Sequence, residues 1–160
     1  MRLGWLSDTH LNFLSAPALD AFVEELASQQ VDGWLIGGDI GGAPSVGSYL
    51  RRLADTLPSA IYFILGNHDF YGSSLAVRSR LASVIAGSPR LVWLTSAEPV
   101  ALSPSVGLVG EDSWAARFGD PWSSPVEIRD FHAIEDLVGL SCNTARPEVR
   151  GLTEQSESFT

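Results

Sequence analysis

Three polar segments, Ser7-Asp8-Thr9-His10, Gly37-Gly38-Asp39 and Gly66-Asn67-His68-Asp69, each follow directly on a short apolar run. The runs are Leu3–Leu6, Trp34–Ile36 and Ile61–Leu65. Runs this short, spaced by helical patterns, read as buried strands of a parallel sheet. Strands of such a sheet point one way, so their C-terminal ends share an edge, and that edge is where open α/β sheets bind ligands. Asp8, His10, Asp39, Asn67, His68 and Asp69 are therefore expected to meet in space. Carboxylate, imidazole and amide groups gathered at one edge point to a metal centre.

The spacing between the runs supports this layout. Leu19, Phe22, Val23 and Leu26 fall on one helical face, with Ser15 and Pro17 placed for a helix start. Leu50, Leu53, Ala54 and Leu57 repeat the spacing before Pro58, and Val77, Leu81, Val84 and Ile85 repeat it before Gly87 and Pro89. The order β-α-β-α-β-α is that of parallel crossovers with helices packed on the sheet. Further on, Leu91–Leu94, Val100–Leu102 and Val106–Val109 are strand candidates that could extend the first sheet or begin a second. A Gly-, Pro- and Ser-rich loop from Asp112 to Pro125 follows. Ile128, Phe131, Ile134 and Val138 then predict a last helix, and the chain from Ser141 onward is polar.

A chain of 160 residues can bury roughly 70% of its unfolded surface in one domain. The net charge of −9 counts against a basic nucleic-acid interface, but leaves phosphate substrates open where metal supplies the positive charge. Cys142 is the single cysteine, which rules out an internal disulfide and favours a reducing compartment. No apolar stretch reaches the ~20 residues of a membrane span. The expectation is a cytoplasmic protein without membrane contact.

With two divalent cations at the strand edge, Asp8 and His10 can reach one of them from a common loop. Asp39 can bridge, since a carboxylate has two oxygens, and Asn67 can offer a neutral amide oxygen to the second. Two divalent cations outweigh two carboxylates and leave net positive charge for a phosphate, while activating a water for attack. His68 remains to protonate the leaving alkoxide, with Asp69 able to orient its other nitrogen. The mixed oxygen and nitrogen donors suit Mn, Fe or Zn.

Asp8-Thr9-His10, Gly38-Asp39 and Gly66-Asn67-His68-Asp69, in that order, resemble the first three motifs of the calcineurin-like metallophosphoesterases. The resemblance implies the N-terminal portion of an αββα sandwich, an α/β fold with a mixed, largely parallel sheet, over residues 1–140, followed by a polar tail at 141–160. It implies a two-metal centre with Asp8, His10, Asp39 and Asn67 as ligands, Asp39 bridging, and His68 as the catalytic residue beside the leaving group. It further implies hydrolysis of a phosphomonoester, phosphodiester or pyrophosphate bond in a small phosphorylated substrate. Gly110–Trp114, with Arg117, looks like a stretch near the active site of some bacterial members.

The chain also departs from the family pattern. Gly42 stands where an acidic or polar residue is common. The family's later ligands are a further His and a Gly-His-x-His motif, yet of three histidines only His132 follows His68. The expectation is the front part of a longer enzyme, lacking half of the second sheet. The alternative is a truncated or degenerate module that binds metal or a partner without hydrolysis.

Other residues carry plainer expectations. His132 reads as a helix-surface histidine, and Cys142 as inert. Arg51 and Arg52 read as a solvated helix face. Trp5, Trp34 and Trp93 read as core, while Trp114 and Trp122 could line a pocket or pack a loop. Glu111 and Asp112 read as loop solvation, and Gly37, Gly38, Gly41 and Gly42 as room for a tight turn beside Asp39.

Overall fold

In the computed structural model, which describes residues 1–74, 76–112 and 129–139, the three apolar runs are strands: β1 Leu3–Leu6, β2 Gly33–Gly37 and β3 Ala60–Ile64. A fourth, β4 Leu91–Trp93, joins them in a wholly parallel sheet of order β1-β2-β3-β4. Crossovers run through α1 Ala16–Ser28, α2 Val46–Thr56 and α3 Val77–Ala86. Ser15 starts α1 as its spacing predicts, its hydroxyl accepting the N–H of Ala18 at 3.4 Å. Of the remaining candidates, β5 Val100–Ser103 and β6 Val106–Leu108 pair antiparallel in a separate two-stranded sheet. Among the described residues no helix is long and apolar enough to cross a membrane.

The helices cover one face of the parallel sheet. Trp34, Ile36, Ile61, Phe63, Leu91 and Trp93 are buried there against Leu19, Val23 and Leu26 of α1, Leu50 and Leu53 of α2, and Leu81 of α3. Phe63 and Trp93 stack with ring centroids 6.5 Å apart. Truncating a side chain such as Leu50, 0% exposed, to Ala costs about 2–5 kcal/mol in such a core. Arg51 and Arg52 are exposed as expected, and Arg52 also ties α2 to α1 by pairing with Asp20.

The alternate positions form the other face. Trp5, Leu35, Tyr62 and Val92 are register partners across the four strands. Leu35, Tyr62 and Val92 are half-buried, but Trp5 is 77% exposed, against the expectation that it belongs to the core. The reason is strand alternation. The ring of Trp34 fills the space beside Gly4 on the helical side, and Trp5, the next residue on an edge strand, turns the opposite way.

The expected last helix is broken. Its part within the described residues is α4, Asp130–Ala133, then an extended Ile134, then a 3-10 turn at Glu135–Leu137. Ile134 bridges to Ser73, with Gly72 donating to Ala133 and Glu135 donating to Ser73, each at 2.9 Å. The buried residues Phe131, Ile134 and Leu137 recur every third position, while Val138 is 58% exposed. That period suits the tighter turn and not a continuous α-helix.

Candidate metal centre

The three motif loops leave the C-terminal ends of β1, β2 and β3 side by side. The pairing of β1 with β2 continues beyond the strands: Asp8 N–H donates to Gly38 O at 3.2 Å, His10 to Asp39 O at 2.9 Å and Leu11 to Ile40 O at 2.8 Å. Asp8, His10 and Asp39 all take left-handed backbone angles, with φ of 53°, 43° and 52°. Such angles cost about 1 kcal/mol or more each in residues with a Cβ and cluster at functional sites. Two glycines let the second and third loops touch. Gly38 has φ 86°, and a Cβ there would meet Gly66 N at 2.6 Å; a Cβ on Gly66 would overlap the Asp39 carboxylate.

Side chains complete the lacing. Asp39 Oδ1 accepts the backbone N–H of His68 at 3.0 Å. Asp69, 0% exposed, accepts Ile40 and Gly41 N–H at Oδ1, both at 2.9 Å, and Gly66 N–H at Oδ2 at 3.0 Å. It therefore clips the second loop to the third, in place of the expected role of orienting the other nitrogen of His68. Burial pushes its carboxyl up to about 7; the N–H groups of Gly41, Gly66 and Ile40 oppose this and the nearby charge of Asp39 adds to it.

Donor atoms of His10, Asp39 and His68 all lie within 4.8 Å of one another, close enough to hold a metal ion. The His10 and His68 rings meet edge to face at 4.6 Å. Nδ1 of His10 is buried with no hydrogen-bond partner, an orphan that a cation would satisfy. Two imidazoles, a carboxylate and a nearby amide form a donor set that fits a divalent transition metal. Asp8 lies outside this trio, exposed on the same loop, its carboxylate accepting the Ser7 hydroxyl. Asn67 opens the 3-10 turn Asn67–Phe70 that also carries His68. Its Nδ2 donates to Tyr71 Oη at 3.1 Å and to Asp130 Oδ1 at 2.8 Å, which leaves Oδ1 out of both bonds. Tyr71 donates its hydroxyl proton to the same Asp130 oxygen and stacks on His68 at 4.3 Å. Burial, then the bond to Asp130, holds the phenol well above its ordinary range.

A second buried carboxylate supports the third loop from outside. Asp112 Oδ1 accepts Trp93 Nε1 at 2.9 Å and the Thr95 hydroxyl at 2.7 Å, as well as the N–H of Leu65. Arg78 lies 3.2 Å from Oδ2, an ion pair without hydrogen-bond alignment. Asp112 is 1% exposed, so its reading as loop solvation is wrong. Neighbouring Glu111 is half-buried, and burial, then the charge of Asp112, raises its carboxyl above the ordinary range.

Tyr71 and Asp130 escaped the sequence reading because no local pattern distinguishes them, and their bond to each other spans 59 residues. His132 is exposed on α4, as expected, and outside the donor trio. A groove of about 580 Å³ between α2 and α3, bordered by Arg51, Arg52 and Arg80, includes none of the motif residues. Trp114, Arg117, Trp122, Ile128, Cys142 and the segment 141–160 lie outside the described residues.

Comparison with known proteins agrees with the motifs. The family model described as calcineurin-like phosphoesterase matches residues 1–156. No match was found among curated proteins or among solved structures. Because the family match runs well past the three motif loops and takes in nearly all of the sequence, the chain belongs to the calcineurin-like phosphoesterases.

Proposed function

We propose that the chain is a metal-dependent hydrolase that cleaves a phosphomonoester, phosphodiester or pyrophosphate bond in a small phosphorylated substrate. The observation that carries this reading is the donor trio His10, Asp39 and His68, with the orphaned His10 Nδ1 among them. Asp39 would be the ligand shared by two divalent cations, Mn, Fe or Zn. Asp8 and His10 would serve one cation and Asn67 the other. Bound cations supply Lewis acidity and the charge that makes water a nucleophile near neutral pH. His68 protonates the leaving oxygen, its ring held between His10 and Tyr71.

The scarcity of histidine favours a second reading, a metal-binding module without turnover, since the chain has three and no Gly-His-x-His motif. One experiment separates the two. Metal content is measured on the purified chain, with hydrolysis of an aryl phosphate and an aryl phosphodiester in added Mn²⁺. Turnover that a chelator abolishes supports the hydrolase. Metal uptake with neither substrate cleaved assigns the non-catalytic module instead.

A further inference from the structure

We infer that Asp130 is a positioning residue for the metal centre, locking the Asn67 side chain so that its oxygen, and not its nitrogen, faces the cation. The inference rests on the reading of Asn67 as a ligand. A free Asn amide can turn about its last bond and present either end, and the NH₂ end repels a cation. Asp130 removes that freedom. An ionised carboxylate only accepts hydrogen bonds, so the end of Asn67 that faces it at 2.8 Å must be the donor.

Tyr71 closes the triangle. Its single proton goes to Asp130 Oδ1, so its oxygen is left to accept the second Asn67 hydrogen at 3.1 Å. Both Nδ2 hydrogens then have partners, and Oδ1 is the remaining polar atom of the side chain. The anchor is firm: Asp130 is 3% exposed, and its segment is pinned by the Ser73–Ile134 bridge and by buried Phe131, Ile134 and Leu137. The same triangle holds the Tyr71 ring on His68. Partners of this kind behind a ligand typically change metal affinity by about 10–100-fold.

The test is Mn²⁺ affinity by calorimetry on the full chain, with melting curves run beside it. Asp130→Ala is expected to weaken Mn²⁺ binding about tenfold or more. Asp130→Asn, whose oxygen can still accept both bonds, is expected to restore most of the affinity. In an Asn67→Ala background the Asp130→Ala loss is expected to vanish, because nothing is left to orient. A purely structural Asp130 would lower the melting temperature and leave no such coupling. If Asp130→Ala does not fold, Tyr71→Phe carries the test, with a smaller loss that also disappears in the Asn67→Ala background. Asn67→Ala that weakens binding, combined with Asp130→Ala or Tyr71→Phe that does not, overturns the inference alone. Asn67→Ala without effect removes the ligand reading and the inference with it.

Discussion

Oδ1 of Asp112 accepts the backbone N–H of Leu65 at 2.7 Å, at the point where β3 ends and the third motif loop begins. One carboxylate thus ties the exit of β3 to Trp93 at the end of β4, to Thr95 just after it, and to Arg78 on α3. The Asp112 side chain is 0% exposed and that of Arg78 22%, so the pair is shielded from solvent. Removing one partner of a buried pair leaves an uncompensated charge and unpaired donors. Asp112→Ala is expected to cost about 3 kcal/mol or more in urea unfolding. A loss below about 1 kcal/mol would mean that solvent replaces the carboxylate.

Asp39 is expected to matter more to metal binding than Asp8. It lies in the donor trio, whereas Asp8 is exposed outside it. Asp39→Asn should therefore abolish Mn²⁺ uptake more completely than Asp8→Asn, read by calorimetry. Equal losses would argue against the bridging role.

His68 is the residue whose role the geometry makes most open to measurement, because its ring nitrogen also falls within the trio. As the proton donor, His68→Ala should spare Mn²⁺ affinity and slow substrates with poor leaving groups most. A tenfold weakening of Mn²⁺ binding would make it a ligand instead.

Gly38 should tolerate no side chain. Its φ of 86° and the 2.6 Å approach of Gly66 N leave a Cβ both strained and obstructed. Gly38→Ala is expected to destabilise by about 2 kcal/mol or more. Gly107, where an added methyl would meet nothing within 4 Å, is the control, and Gly107→Ala should stay within about 0.5 kcal/mol. Similar urea midpoints for both variants would contradict the close approach.

Asp69 should make the metal-free fold less stable as pH rises. Its carboxyl is pushed up to about 7 in the folded chain, against an ordinary value of 3.8. Between those values the native state keeps a proton that the unfolded state has released, so stability falls from about pH 4 toward pH 7. In EDTA, the urea midpoint of the wild type should drop over that range more than that of Asp69→Asn. Parallel slopes would remove Asp69 as the source.

The sequence was most legible where periodicity is local. Short apolar runs located β1 to β3, helical spacing located α1 to α3, and the strand ends located the loops that carry His10, Asp39 and His68. It was least legible where a residue answers to distant partners. Nothing near Asp112 or Asp130 announces burial, since the donors they accept from lie on other elements. Trp5 looked like core because a strand tryptophan usually is; only the position of Trp34 beside Gly4 decides which way it turns. The segment after residue 128 looked like one helix until the pairing of Ile134 with Ser73 drew its backbone out straight.

The three loops are stitched to one another by main-chain bonds and by the carboxylates of Asp39 and Asp69. Asp8, His10 and Leu11 reach across to Gly38, Asp39 and Ile40, and Asp69 gathers Ile40, Gly41 and Gly66. The awkward backbone angles at Asp8, His10 and Asp39 lie inside this mesh of bonds. Because each loop is tied to its neighbour, a residue inserted into or lost from any one of them would pull the other two out of place.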